Sequence, residues 1–432
     1  MRFTNSVARA ARAPVASVFF ALALGLGAGA ARADDAAPAA KPADTVREEV
    51  GKPLQAAQGL MKDKKFKEAL AKIKEAEAIP NRTPYENFII DRMRGSAAAN
   101  DGQDDVAAAS FESVVNSGRL PPADQLKIEQ AISGTYFKLK NYGKSAQWAA
   151  RFMKEGGNDP SVLDLLINSY YLNNEFALAL SELKTIIEAD EKAGRPTTEV
   201  HLQLMLTCAQ KVKDNAASAS SLEKLLISYP KKDYWDLAIS HLIHRTGFAE
   251  RLELDLLRLR LELNDLKRES EFMEMGQLCL EAGFPTEAKK VVDKGYAAGI
   301  LGKGPEAERH KRLQAKVLKD AADDAKALAA GDADAERAKG GDGMVNAGYN
   351  YVINGKADKG IPLMEAGLKK GGLKRPEDAK MHLGIAYFIA GERAKAAQIL
   401  RTVQGSDGTA DLAHLWAVYA AGPKAGAAAA AN

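Results

Sequence analysis

The stretch His382-Leu383-Gly384-Ile385-Ala386-Tyr387, followed by Gly391-Glu392-Arg393-Ala394-Lys395-Ala396-Ala397-Gln398-Ile399-Leu400, decides the fold. Leu383, Gly384, Tyr387, Gly391, Ala396 and Leu400 spell a helix, a tight turn and a second helix, with small residues where the two helices touch. Moving back 36 residues gives Ala347, Gly348, Tyr351, Gly355, Gly360 and Met364. A further 72 gives Met275, Gly276, Cys279, Gly283, Ala288 and Val292 in the same register. Self-similarity at such a period is the mark of a helical solenoid, in which each unit buries its apolar face only by stacking on its neighbours.

This pattern of a large apolar residue, Leu-Gly, Tyr, Gly, Ala and a second large apolar residue resembles the tetratricopeptide repeat (TPR) family. The resemblance implies an all-α, right-handed superhelical solenoid of helix-turn-helix repeats that works as a binding scaffold. Other stretches fit the same frame. Ile132, Tyr136, Tyr142 and Ala149 are followed by Leu166, Tyr170, Phe176, Ala179 and Leu183, with equivalent aromatics 34 residues apart. Ala57, Leu60, Ala69 and Ile73 suggest a first pair, and Gly95, Ala98, Ala107 and Phe111 a second. Leu206, Ala209, Leu222 and Leu225 suggest a fifth.

The pattern predicts repeats over 45–230, an atypical helix pair plus one repeat over 231–301, and a degenerate charged helical segment over 302–341. Two further repeats and a capping helix follow over 342–421. The atypical pair contains Leu252, Leu254, Leu256, Leu257, Leu259, Leu261 and Leu263, too many leucines for one helix face, so this helix is expected to be more buried than its neighbours.

At 432 residues the chain exceeds one ordinary core, as a repeat array allows. Its N-terminus reads as a cleavable export signal over 1–33: Arg2, Arg9 and Arg12, an apolar run from Val15 to Ala30, then Ala31-Arg32-Ala33. The run is diluted by glycines and falls short of a membrane span. A flexible spacer over 34–44 and a disordered tail over 422–432 bracket the repeats. Removing 1–33 takes away four positive charges and no acid, turning a net +3 into −1. The balance therefore gives no case for nucleic acid or an anionic membrane surface. Periplasmic localisation follows as the expectation. Cys208 and Cys279 are expected as buried helix residues and not as a disulfide.

No catalytic constellation stands out. His241 and His244 share a helix face but lack the acidic partner of a zinc site. Gly302-Lys303-Gly304 and Gly143-Lys144-Ser145 lack the preceding glycine of a phosphate-binding loop. No G-x-S-x-G occurs, so the chain is expected to be no enzyme, with no metal and no cofactor.

TPR resemblance implies binding through the face lined by the first helix of each pair. Alignment on the repeat places Val345, Tyr349, Val352 and Ile353, and Met381, Ile385, Phe388 and Ile389, on that face, with Phe137 and Tyr171 as further candidates. Contiguous exposed apolar surface would make a docking site. The alternative is that the helix bearing Trp416 covers it. The carboxylate clamp of chaperone adaptors is not present, since the fourth repeat has Asp164 and Asn168 and the ninth has Val345 and Tyr349 at its positions.

A second resemblance covers Tyr229 to Leu301, with Tyr229-Pro230-Lys231-Lys232-Asp233-Tyr234-Trp235 and Ala282-Gly283-Phe284-Pro285-Thr286-Glu287-Ala288. It is similar to exported TPR proteins that accompany the TonB, ExbB and ExbD system in some proteobacteria. It implies a periplasmic accessory with protein partners in the envelope. A cell-wall glycan or lipid adaptor is the alternative, and an exported enzyme with accessory repeats a third.

Overall fold

Proline and positive-φ residues punctuate the chain, and the helices fall between them. In the computed structural model, which describes residues 44–328 and 336–422, Pro84, Pro122, Pro160, Pro285 and Pro376 each open a helix. There the missing amide proton has no intrahelical partner to lose. Pro53 and Pro362 are exceptions, each inside a helix. Paired helices turn on one left-handed residue, Lys140 (φ 60°) or Asn174 (φ 61°) in two pairs and Gly391 (φ 84°) in a third.

The described residues form twenty α-helices and no strand. They are α1 (Glu48–Lys62), α2 (Phe66–Glu77), α3 (Pro84–Asp101), α4 (Asp104–Asn116), α5 (Pro122–Lys138), α6 (Tyr142–Lys154), α7 (Pro160–Leu172), α8 (Phe176–Lys192), α9 (Glu199–Val212) and α10 (Asn215–Ser228). Then come α11 (Lys232–Ile243), α12 (Glu253–Glu262), α13 (Glu269–Glu281), α14 (Pro285–Ala297), α15 (Ala307–Ala327), α16 (Asp342–Ile353), α17 (Ala357–Lys370), α18 (Pro376–Ile389), α19 (Arg393–Leu400) and α20 (Thr409–Ala421). The export signal, all but the last residue of the spacer, and the tail beyond Gly422 lie outside the described residues. No described helix is long and apolar enough to cross a membrane.

The register inferred from sequence appears as one repeated contact. A Cβ placed on Gly384 would lie 2.5 Å from Cγ of Leu400, and one on Gly348 would lie 2.5 Å from Cγ of Met364. Gly95 against Phe111 (2.6 Å) and Gly276 against Val292 (3.2 Å) repeat it. In each case a glycine of the first helix faces the large residue 16 positions on. The missing side chain is what lets the two helices approach. The chain is thus a solenoid of TPR-like helix-turn-helix repeats.

The chain divides into two compact units, between Ser218 and Ala219 inside α10. In the first, α1/α2, α3/α4, α5/α6 and α7/α8 pair, and each pair packs on the next, down to α9. One apolar core runs from Val50 and Leu54 through Ile89 and Ile132 to Trp148, and a second gathers Ala149, Phe152, Val162 and Leu166. Thr83 and Glu86 form a capping box at the start of α3, and the buried Glu86 carboxylate also receives Arg47 at 2.9 Å.

In the second unit, α13/α14, α16/α17 and α18/α19 pair among the described residues, and the long α15 packs against α13 and α14. Contacts run from α12 through α13, α14, α16 and α18 to α20, and α20 packs back on α11 and α12. This is a closed circuit, not an open row. Leucines at 252, 256, 257 and 259 are all buried, as expected of a helix covered on two sides.

Candidate functional site

In the second unit the apolar face expected from sequence is filled. Tyr349, Val352, Ile353, Met381 and Ile385 are each no more than 2% exposed, and Val345 is buried as well. They are core residues, which corrects the expectation of an open apolar groove at these positions. The reason is the closed circuit: α12 and α20 occupy the space that an open solenoid would leave for a partner. Phe388 is half-buried, edge-on to Trp416 with ring centroids 5.5 Å apart, so the helix bearing Trp416 does cover it. Ile389 alone of this group stays well exposed.

What fills the space is polar as well as apolar. Asp255 of α12 takes Nε2 of His382 at 3.0 Å and Nη1 of Arg258 at 2.6 Å. Arg258 also grips Glu287 with Nε at 2.8 Å and Nη2 at 2.6 Å, a bidentate pair. Burial strongly opposes ionisation of Asp255, yet His382 and Arg258 together hold its carboxyl well below the usual range. The Arg258 guanidinium lies 4.9 Å from the Tyr349 ring centre. Burial raises the Tyr349 phenol well above its ordinary value, and its hydroxyl is buried without a hydrogen-bond partner. Nearby, Arg251 binds Asp378 (2.8 Å), Asp407 (2.7 Å) and the Thr409 hydroxyl (3.0 Å), tying the start of α12 to the last repeat. Arg245 pairs with Asp411 of α20. Cys279, buried beside this cluster, has a thiol that burial pushes upward, and Cys208 is likewise buried and unpaired with any other cysteine. Neither thiol is poised as a nucleophile.

In the first unit the first-helix face is different. α5 and α7 lie side by side, and α9 joins α7 through His201, whose Nε2 lies 3.0 Å from the half-exposed Asp164 carboxylate. Since the carboxylate can only accept, Nε2 is the donor, and the buried Nδ1 has no hydrogen-bond partner. Asn168 donates to the Asp164 carbonyl, and Gln130 of α5 donates to Asp159 at the start of α7. Phe137 and Tyr171 are both half-buried. Phe137 meets Tyr142 edge-on at 5.4 Å and 65°, and Tyr171 meets Phe176 at 5.6 Å and 70°. The same aromatic corner therefore recurs 34 residues on, with both Phe137 and Tyr171 partly exposed.

His241 and His244 lie at the end of α11, and no group of three or more metal-binding side chains occurs among the described residues. Sequence reasoning missed the Asp255, Arg258, Glu287 and His382 cluster. Its only trace was charged residues inside a helix otherwise all leucine.

Neither a family model nor a curated protein matches the chain. Among solved structures, the chain is similar to PilF of Pseudomonas aeruginosa at 14% identity, covering 45% of this chain and 98% of that one, with a TM-score of 0.24. It is also similar to the TPR domain of P58(IPK) (12% identity, 86% and 98% covered, TM-score 0.24) and to yeast Tom70 (12%, 86% and 95%, TM-score 0.25). At these scores the superpositions carry no inference about partner or activity.

Proposed function

We propose that the chain is a non-catalytic scaffold of the cell envelope whose first unit holds a segment of a partner protein along the first-helix face of α5, α7 and α9. The carrying observation is the repeated aromatic corner, Phe137 on α5 and Tyr171 on α7, on helices that also bear the Gln130, Asp164 and Asn168 polar groups. Two partly exposed rings supply anchors at low entropic cost, and carboxylate and amide groups supply hydrogen bonds to an extended or helical peptide. A polar face of this kind favours peptide over lipid. The N-terminal signal motif supports a periplasmic address, and the resemblance over Tyr229 to Leu301 points to TonB, ExbB or ExbD components as the partners.

The test is retention of envelope proteins by the full chain, with mass spectrometry, beside a Phe137→Ala/Tyr171→Ala variant. The expected result is recovery of protein by the wild type and about tenfold less by the folded variant. Equal recovery by both moves the site off this face, and recovery of glycan or lipid without protein supports the adaptor alternative. Sequencing of the exported protein is expected to begin at Asp34.

A further inference from the structure

Two segments of the second unit that are distant in sequence meet through their backbones. Gly341, just before α16, donates its amide to the Gly371 carbonyl, just after α17, at 2.8 Å. A Cβ on Gly340 would lie 2.6 Å from the Gly372 carbonyl oxygen, so only glycine lets the two turns press this close. Across the same seam the Lys370 ammonium bonds the Glu336 carbonyl, and both Asp342 carboxylate oxygens accept from the Lys374 amide at 3.3 Å.

The seam gathers positive charge. Lys339 on one segment and Lys369, Lys370, Lys374 and Arg375 on the other are all exposed. Among the described residues no carboxylate ion-pairs with Lys339, Lys369, Lys374 or Arg375. Glu336 and Asp342 are the acids of these segments, and Asp342 is already turned to a main-chain amide. The carbonyl end of α17 explains cations at Lys369 and Lys370. It does not explain the other three. The near-neutral balance of the whole chain hides the patch, because the fold and not the sequence order brings Lys339 beside the rest.

Charge calls for an anionic partner, and composition selects which. Residues 336–342 and 367–375 contain no aromatic ring on which a base could stack. Glycines occupy the centre, so no side chains there wall a groove for a peptide. Four of the five cations are lysines, point charges on flexible stems, which suit a plane of many headgroups better than bidentate recognition of one group. Leu373, half-buried just before Lys374, adds an apolar contact of the interfacial kind.

We propose that this basic edge docks on a bilayer surface rich in anionic phospholipid. The attraction acts within a Debye length and is screened by salt. It rests neither on the peptide face of the first unit nor on the envelope address.

Flotation with phospholipid vesicles tests the assignment, using the chain from Asp34 onward, which keeps every described residue and lacks the apolar run of the signal. Binding is expected to vesicles of phosphatidylglycerol and phosphatidylcholine in equal parts, and at least about tenfold less to phosphatidylcholine alone. Raising salt from about 50 to about 300 mM is expected to release the protein. Lys369→Glu/Lys374→Glu is expected to weaken binding at least about tenfold with an unchanged circular dichroism spectrum, whereas Lys62→Glu/Lys67→Glu, equally exposed in the first unit, should leave it unchanged. If the first variant does not fold, Lys339→Gln/Arg375→Gln decides in its place. No flotation with phosphatidylglycerol overturns the proposal, as does equal flotation with phosphatidylcholine or equal loss in the first-unit variant. Capture by duplex DNA or an acidic polypeptide without flotation overturns it as well.

Discussion

The indole N–H of Trp416 donates to the main-chain carbonyl of Asp255, 161 residues earlier, at 3.2 Å. Tyr419 repeats the arrangement one helical turn on, its hydroxyl bonding the Glu262 carbonyl at 3.0 Å. The last helix therefore anchors to the backbone of α12, where any change of side chain on α12 leaves the acceptor in place. Ending the chain at Gly408 removes both donors and uncovers buried leucines. The truncated protein is expected to lose amide protection in α12 and to aggregate on concentration, measured by hydrogen exchange and light scattering.

Replacement of Gly384 by Leu tests the repeat register. The added side chain must displace Leu400, and overpacking of this kind costs about 2 kcal/mol or more. Gly134→Ala is the control, because its Cβ would meet nothing within 4 Å and alanine suits a helix better by about 0.5–1 kcal/mol. Denaturant midpoints should move in opposite directions for the two proteins, and equal shifts would refute the register.

Breaking the buried ion cluster should cost more than any surface pair. Arg258→Met leaves Asp255 and Glu287 charged and without their main partner, a loss of about 3–5 kcal/mol. Arg268→Met removes one exposed member of the pair with Glu271 and is expected to cost under about 1 kcal/mol.

Tyr349→Phe carries an opposite sign from the usual core substitution. The lost hydroxyl has no partner and its desolvation is already complete, so removal should leave stability unchanged or raise it by about 1 kcal/mol. A fall in melting temperature would show that the hydroxyl is bonded in solution.

Acid should unfold the protein through particular carboxylates. The Glu86 carboxyl, hydrogen-bonded by Arg47, sits at about 2, and Glu271, against the pull of burial, is held at about 2 by Arg268 and Arg260. A depressed folded value means stability that is complete above the unfolded value near 4.5 and lost as the pH falls through about 2. Glu129 opposes this, since burial raises it. Urea midpoints at pH 7, 4 and 2.5 are expected to drop between the last two for the wild type, and Glu86→Gln should flatten that drop while lowering the midpoint at pH 7.

The helix pairs were legible because their determinants are local. Gly384 and Leu400, or Gly95 and Phe111, meet within one repeat, so their spacing is written in the sequence. The 34-residue spacing of Tyr142 and Phe176 was legible too, whereas the ring contacts they make with Phe137 and Tyr171 needed the structure. The filling of the second unit was not. Asp255 and His382 are 127 residues apart and belong to no period. Periodicity placed Tyr349 and Ile385 on the face of their helices that an open array leaves free. Only a contact between distant helices decides that this face is covered. The surplus leucines of α12 told of a second neighbour without saying which.

The return of α20 onto α12 also sets an order of assembly. Helices of the first unit close on neighbours a few dozen residues away and can settle as the chain emerges. The second unit leaves the α12 main chain without the bonds of Trp416 and Tyr419 until the last helix arrives. That interval, and not the finished fold, is when this polypeptide has most need of a chaperone.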